Sequence, residues 1–446
     1  MKKSILILGA ALLTLPFSVT AQTTPWSLKA CIEFGLKNNL NVRIAKNQEE
    51  IAHQQAREAL SGYLPQANGS ASVDNNLKLQ STVLPAGIFG PDPTVVTLGT
   101  QYQSNVSAQV DQVVYDQALL TGLKANRPNT EKSLLNTVKT KESIIYEISS
   151  NYYQVLISAQ QISLLQDNLD RTQRLLDILK LQFDNGVIKK VDVDRTQVSI
   201  NNAQSQLTLA ESNLNLAKNR LKYQMGYPIE RAIEVSDSLV LKKELATAAM
   251  GQFDYNNLTD YKIQRTNLEL YGIERDRIKA GYLPKLSVYG RYGALALGNE
   301  LGQSWKNWFD YGTVGVKLSI PIFDGFRRDA QWKQSVLNLR TQEDQLNLTL
   351  QGYALQNSNA EVQLQRALAN IGNDERNVEL AKEVFDVNTL QYREGTLSLA
   401  DLLNAENSYK EAQTNYINSL LNYYQARLDL EQSNGTLTDY FAQLSN

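Results

Sequence analysis

Two periods of apolar and polar residues take turns along the chain. From Ser27 to Ser61, Leu28, Ile32, Leu36, Leu40, Ile44, Ile51 and Leu60 predict one helix with an apolar face. Gly62-Tyr63-Leu64-Pro65 ends it, and the period falls to two. Ala67, Gly69, Ala71 and Val73 alternate with Gln66, Asn68, Ser70, Ser72 and Asp74, which predicts a strand over about 63–74 with two unlike faces. Residues 75–103 are rich in Pro and Gly and read as a loop. A second strand, about 104–114, sets Val106, Ala108 and Val110 against Asn105, Ser107, Gln109 and Asp111. At Asp116, a good N-cap, the helical period resumes and runs to Asp184, with a kink expected at Pro128. At 1.5 Å per residue that helix spans roughly 100 Å, too long for a compact domain. The return helix carries Ile200, Ala203, Leu207, Ala210, Leu214, Ala217 and Leu221, alternating steps of three and four that make a coiled-coil seam. The helical hairpin thus covers 116–226, with its tip near Gly186.

The pattern then repeats. A shift of 209 positions carries Leu181, Phe183, Gly186 and Asp192 onto Leu390, Tyr392, Gly395 and Asp401, and the first seam onto Tyr409, Ala412, Tyr416, Ser419, Tyr423, Ala426 and Leu430. Residues 22–226 form one repeat, 227–250 a linker and 251–435 a second repeat. The second repeat holds a helix over 251–280, strands about 282–295 and 311–320, and a hairpin over 324–435 with its tip near Gly395. Trp305, Trp308 and Phe309 fall in the loop between its strands. Residues 436–446 read as a tail. Ser398 is the expected N-cap after the second tip, with Asp401 as its capping-box acid.

Composition narrows the function. The first 21 residues are a basic start, an apolar run and small residues before Gln22, a secretory signal. No later run is long and apolar enough for a membrane helix, and Cys31 stands too far past the cut for a lipid anchor. The net charge of −2 implies no nucleic-acid partner. One Cys and one His supply neither a metal cluster nor a disulfide. No nucleophile-and-base set or phosphate loop is legible, so neither an enzyme nor a cofactor is expected.

The exported strands, about ten residues long with one apolar face, suit a tilted membrane strand. A sheet with open edges cannot stand in hydrocarbon, and membrane barrels begin at about eight strands, so four per chain require several copies. The alternative is a structural coiled-coil envelope spacer or surface stalk, which needs no two-faced strands.

The strand–helix order, the duplicated halves and the tip pattern aromatic-x-x-Gly-x-x-x-x-x-Asp resemble the TolC family of outer-membrane export ducts. The resemblance implies a coiled-coil α-barrel joined to a small transmembrane β-barrel, built as a homotrimer with twelve strands. It implies the outer-membrane channel of a tripartite efflux or type I secretion system. Such a channel takes cargo passively from an inner-membrane pump (RND, ABC or MFS type) through a periplasmic adaptor, with its helices in the periplasm and its strands in outer-membrane lipid. It also implies a periplasmic gate at Asp401, Asn404, Tyr392 and Asp192. Asn404 replaces a second acid there, and Leu397 replaces an Arg that ties neighbouring helices. The tips Gly186, Lys189, Lys190, Gly395, Thr396 and Leu397 become adaptor contacts, and Trp305, Trp308 and Phe309 become membrane-interface aromatics. Plainer readings stand beside these: helix N-terminal acids for Asp192 and Asp401, an apolar coiled-coil position for Tyr392, loop packing for the tryptophans.

Overall fold

A long apolar stripe has to face another one, and this sets the lateral order of the helices. The computed structural model describes residues 25–87, 90–236 and 253–444. The first repeat runs α1 (Leu28–Asn38), α2 (Leu40–Ser61), β1 (Gln66–Asn75), β2 (Ser81–Leu84), β3 (Thr94–Thr97), β4 (Tyr102–Asp116), α3 (Gln117–Leu123), α4 (Asn126–Asp184) and α5 (Lys190–Met225). The second runs α6 (Thr259–Ala280), β5 (Lys285–Gly298), β6 (Trp308–Ser319), α7 (Arg327–Arg393) and α8 (Leu399–Asn434), followed by α9 (Leu437–Gln443). The expected signal, 1–21, and residues 237–250 of the expected linker lie outside the described residues. Among the described residues, no helix is long and apolar enough to cross a membrane.

Four strands pair antiparallel in the order β1-β4-β5-β6. The register keeps like residues together: Asn68, Gln109, Arg291 and Thr313 share one row, and Ala67, Val110, Gly290 and Val314 the next row on the opposite face. Asp116 then turns β4 into helix. Its Oδ1 accepts from the Ala118 and Leu119 amides at 3.0 and 3.1 Å, while Lys285 Nζ sits 2.7 Å from Oδ2.

The helices continue the order of the strands. Contacts run α2–α4–α6–α7 next to the sheet and α5–α4–α8–α7 beyond it. The two tiers meet at two equivalent joints. Gly226 ends α5 and Gly435 ends α8, both left-handed, with φ +68° and +72°. A Cβ on Gly226 would stand 3.0 Å from the Asn38 carbonyl oxygen, and one on Gly435 would stand 2.9 Å from that of Asn257. The largest apolar cluster lies at this level and includes Ile144, Ile148, Tyr152, Leu221, Met225 and Leu428. Cys31 is inside it, and burial pushes its thiol up to about 12.

The structure differs from the sequence reading at six places. The helix expected over 27–61 divides at Asn39, which has ψ 130°, caps the Asn41 amide at 2.7 Å and donates its Nδ2 to the Gln224 carbonyl at 2.6 Å. The helix expected from Asp116 to Asp184 divides at Lys124–Ala125, so Pro128 opens α4 within its first turn, where the missing amide costs little, and does not kink it. Residues 75–103 contain the β2–β3 hairpin, in which Thr82 and Val83 face Val96 and Val95, all β-branched. The helix expected from Gly251 begins at Thr259, after a short 3-10 turn at Tyr255–Asn257. Strand β6 takes Trp308 and Phe309 out of the loop. The supposed tail includes α9, whose Tyr440 is buried and hydrogen-bonded to Tyr153 at 2.6 Å.

Gly435→Ala and Gly395→Ala both force alanine into the left-handed region, at about 1–2 kcal/mol each. Only Gly435 also has backbone within 3 Å of the new methyl, whereas Gly395 faces open space. Thermal melts in detergent should therefore show a clearly larger loss for Gly435→Ala.

Candidate functional site

The hairpin tips are built by one backbone device used twice. At the first, the amides of Asn185, Gly186 and Val187 donate to the carbonyls of Leu181, Phe183 and Gln182 at 3.2, 2.8 and 2.8 Å. At the second, Glu394, Gly395 and Thr396 donate to Leu390, Tyr392 and Gln391 at 3.0, 3.1 and 2.9 Å. Gly186 and Gly395 take φ +75° and +74°, which lets the last helical carbonyls find partners.

The tips differ in how the next helix starts. Ser398 accepts from the Asp401 amide at 3.2 Å and donates its hydroxyl to Asp401 Oδ2 at 2.7 Å. This is a capping box in which the acid takes the serine hydroxyl instead of the cap amide. Lys189, at the matching position, has no side-chain cap bond. Lys189, Lys190, Thr396, Asp401 and Asn404 are exposed, and Leu397 is half-buried.

Tyr392 packs on the cluster of Leu179, Leu399 and Leu403, with Leu175, Ile188 and Val193 alongside. Burial, and then the charge of Asp192, push its hydroxyl up. The two residues are therefore neighbours. Among the described residues no hydrogen bond joins them; Asp192 lies 4.0 Å from Arg195 on its own helix.

Trp305 and Trp308 meet edge to face at 5.9 Å, and Trp308 Nε1 donates to the Trp305 carbonyl at 3.1 Å. Trp308 pairs with Ala296 and Phe309 with Leu295, so the two aromatics point to opposite faces of the sheet. Phe309 lies on the face of Asn105 and Tyr311, and only the tryptophans remain candidates for the apolar side. Sequence reasoning also passed over Glu406, which is buried on α8 against Thr172 of α4. Its place one helical turn from Leu402 and Leu403 was the available signal.

The family profile described as "Outer membrane efflux protein" matches residues 32–226 and 265–436. The Outer membrane protein TolC of Vibrio cholerae is 23% identical over 98% of this chain and 97% of its own length. Among solved structures, CusC superposes with a TM-score of 0.74 at 15% identity, over 92% of each chain. VceC of Vibrio cholerae superposes with a TM-score of 0.71 at 16% identity, over 92% of this chain and 96% of its own. With both halves matched, the chain belongs to the outer membrane efflux protein family, whose members are channels of the outer membrane and not enzymes.

Proposed function

We propose that three copies close side by side into one duct, a twelve-stranded barrel continued by a helical tube. The observation that carries this reading is that both layers end in the same order. The sheet has free edges at β1 and β6, and the helical layer ends at α2 and α7 next to the sheet and at α5 and α7 beyond it. β1 and α5 come from the first repeat, β6 and α7 from the second. One head-to-tail interface, first repeat against a neighbour's second, satisfies both layers at once, and such an interface forms a ring when its rotation closes. Exposed apolar residues run along the two outer helices: Val198, Leu209, Leu216 and Tyr223 on α5, Leu348, Leu355 and Val362 on α7. Their spacings of seven and eleven residues are those of supercoiled helix seams. An envelope spacer or stalk would leave a two-faced sheet with open edges unexplained.

The barrel spans outer-membrane lipid without a lipid anchor, and the helices reach into the periplasm. An adaptor docks on the tips around Gly186, Lys189, Lys190, Gly395, Thr396 and Leu397. It delivers cargo from an inner-membrane pump, in tripartite efflux or type I secretion. The tips form the gate: Asp401 contributes an acidic ring, Asn404 a neutral one, and Tyr392 beside Asp192 contributes packing. Leu397 supplies no cross-helix ion pair. Trp305 and Trp308 mark the outer lipid interface.

Mass measurement in mild detergent should give a trimer; a monomer or dimer would remove the duct. Cysteines placed in 75–87 should react with an impermeant reagent on intact cells, while cysteines at 186 or 395 should not. The reverse labelling would invert the topology, and native Cys31, being buried, leaves a quiet background. In single-channel recordings, Asp401→Asn should lower cation selectivity and Asn404→Asp should raise it, because close carboxylates attract cations. Unchanged selectivity in Asp401→Asn would leave that residue as a helix cap alone.

A further inference from the structure

Above the tips the two hairpins meet through a buried carboxyl. Glu406 of α8 is 7% exposed, and its Oε1 accepts the longer branch, 3.3 Å, of a hydrogen bond that the Thr172 hydroxyl of α4 shares with the Asn168 carbonyl at 2.9 Å. One turn along α8, Lys410 Nζ donates to Gln206 Oε1 of α5 at 2.6 Å. These contacts hold the second hairpin, α7–α8, to both helices of the first, α4–α5. The cluster is incompletely paired: Arg171 Nε and Asn168 Oδ1 of α4 are buried without a hydrogen-bond partner. Beside it lies a cavity of about 460 Å³, lined by Arg171, Arg174, Phe385, Tyr392, Arg393 and Glu406. Unpaired buried polar groups weigh against the packed arrangement, and water entering the cavity satisfies them once the hairpins part.

We propose that Glu406 is a positioning residue of the gate, its carboxyl on Thr172 setting how firmly the second hairpin lies against the first. The inference rests on the reading of the tips as the gate and names a control on it. Glu406 lies one and a half turns above Asp401 on the same helix, so a shift of α8 against α4 carries the acidic tip with it. Asp401 touches the permeating ions, whereas Glu406 acts through the seating of the helix.

A consequence is sensitivity to pH. Burial pushes the Glu406 carboxyl above the usual glutamate range, while Arg171, the Thr172 hydrogen bond and Lys410 pull it down. The charged groups around it are Arg171 and Arg174 of α4, Arg393 of α7 and Lys410 on its own helix. From α5 comes the neutral Gln206. When the hairpins part, the carboxyl meets water and returns to the usual value of about 4.3. The packed arrangement therefore binds the proton more tightly. Its advantage is complete below the usual glutamate value and is lost as pH rises through the raised one.

The test is planar-bilayer conductance of the full-length protein between about pH 4 and pH 8, a window starting at the ordinary glutamate value. Wild type should conduct more as pH rises. Glu406→Gln keeps the shape and an acceptor for Thr172 but cannot titrate, so its conductance should stay flat at the low-pH wild-type level. Glu406→Asp should restore a pH dependence, and Thr172→Val should raise conductance across the range. A Glu406→Gln channel that keeps the wild-type profile overturns the proposal. Asp401→Asn separates the two ideas: it should change selectivity and leave the pH profile in place. If Glu406→Gln flattens the profile while Asp401→Asn changes nothing, the control on hairpin seating stands and the acidic gate falls. If no variant changes conductance or selectivity, both fall.

Discussion

A backbone amide or carbonyl left without a partner in hydrocarbon costs several kcal/mol, and a sheet edge is a row of them. The sheet β1-β4-β5-β6 has two such edges and one apolar face. In the proposed ring, much of the molecule follows from removing those edges. The strands feed helices in the same lateral order, so the edges of the helical layer fall above the edges of the sheet. Asp116 shows how the handover is made rigid: one carboxylate ends β4, caps α3 and holds Lys285 at the start of β5.

The helical layer is not built from unbroken helices alone, because each repeat changes helix partners partway along. α4 and α7 pass straight through, while α2 hands over to α5 and α6 to α8. The handover needs the end of one helix to abut the start of another at backbone contact distance. Gly226 and Gly435 meet that demand at equivalent positions, with no side chain to separate the ends. The largest apolar cluster gathers around the first of these joints, and α9 closes it through Leu437 and Tyr440. Duplication of the sequence is therefore visible as duplication of a joint, not only of a hairpin.

What was legible in the sequence was what local physics decides. The seam from Ile200 to Leu221 needed only a helical period, and the tips needed only glycines that tolerate the left-handed region. What was not legible depended on partners far along the chain. Asn39 breaks its helix because its amide finds the Gln224 carbonyl, 185 positions away. The helix α9 is short and gains its place from Tyr153 and the surrounding core. The β2–β3 hairpin was hidden because Pro and Gly dominate the stretch around two four-residue strands with six β-branched residues. At the tip, the family resemblance set Tyr392 beside Asp192, and the two are neighbours, but Tyr392 packs against leucines and no hydrogen bond joins the pair among the described residues. The resemblance carried proximity; it did not carry side-chain direction.

The contrast between Asp401 and Glu406 carries this further. Both are acids near the start of α8, and sequence reasoning singled out only Asp401. Asp401 is exposed and spends one oxygen on its own cap, so its charge remains available to solvent at the tip. Glu406 is buried against another hairpin, where its charge is costly and its proton matters. In a coiled coil whose seams are mostly apolar, a carboxyl at such a site weakens the packed state relative to an apolar residue of similar size. A contact that is marginal by construction suits the moving part of the proposed gate. The extensive apolar cluster around the first joint, which joins α1, α4, α5 and α9, suits a part that stays still.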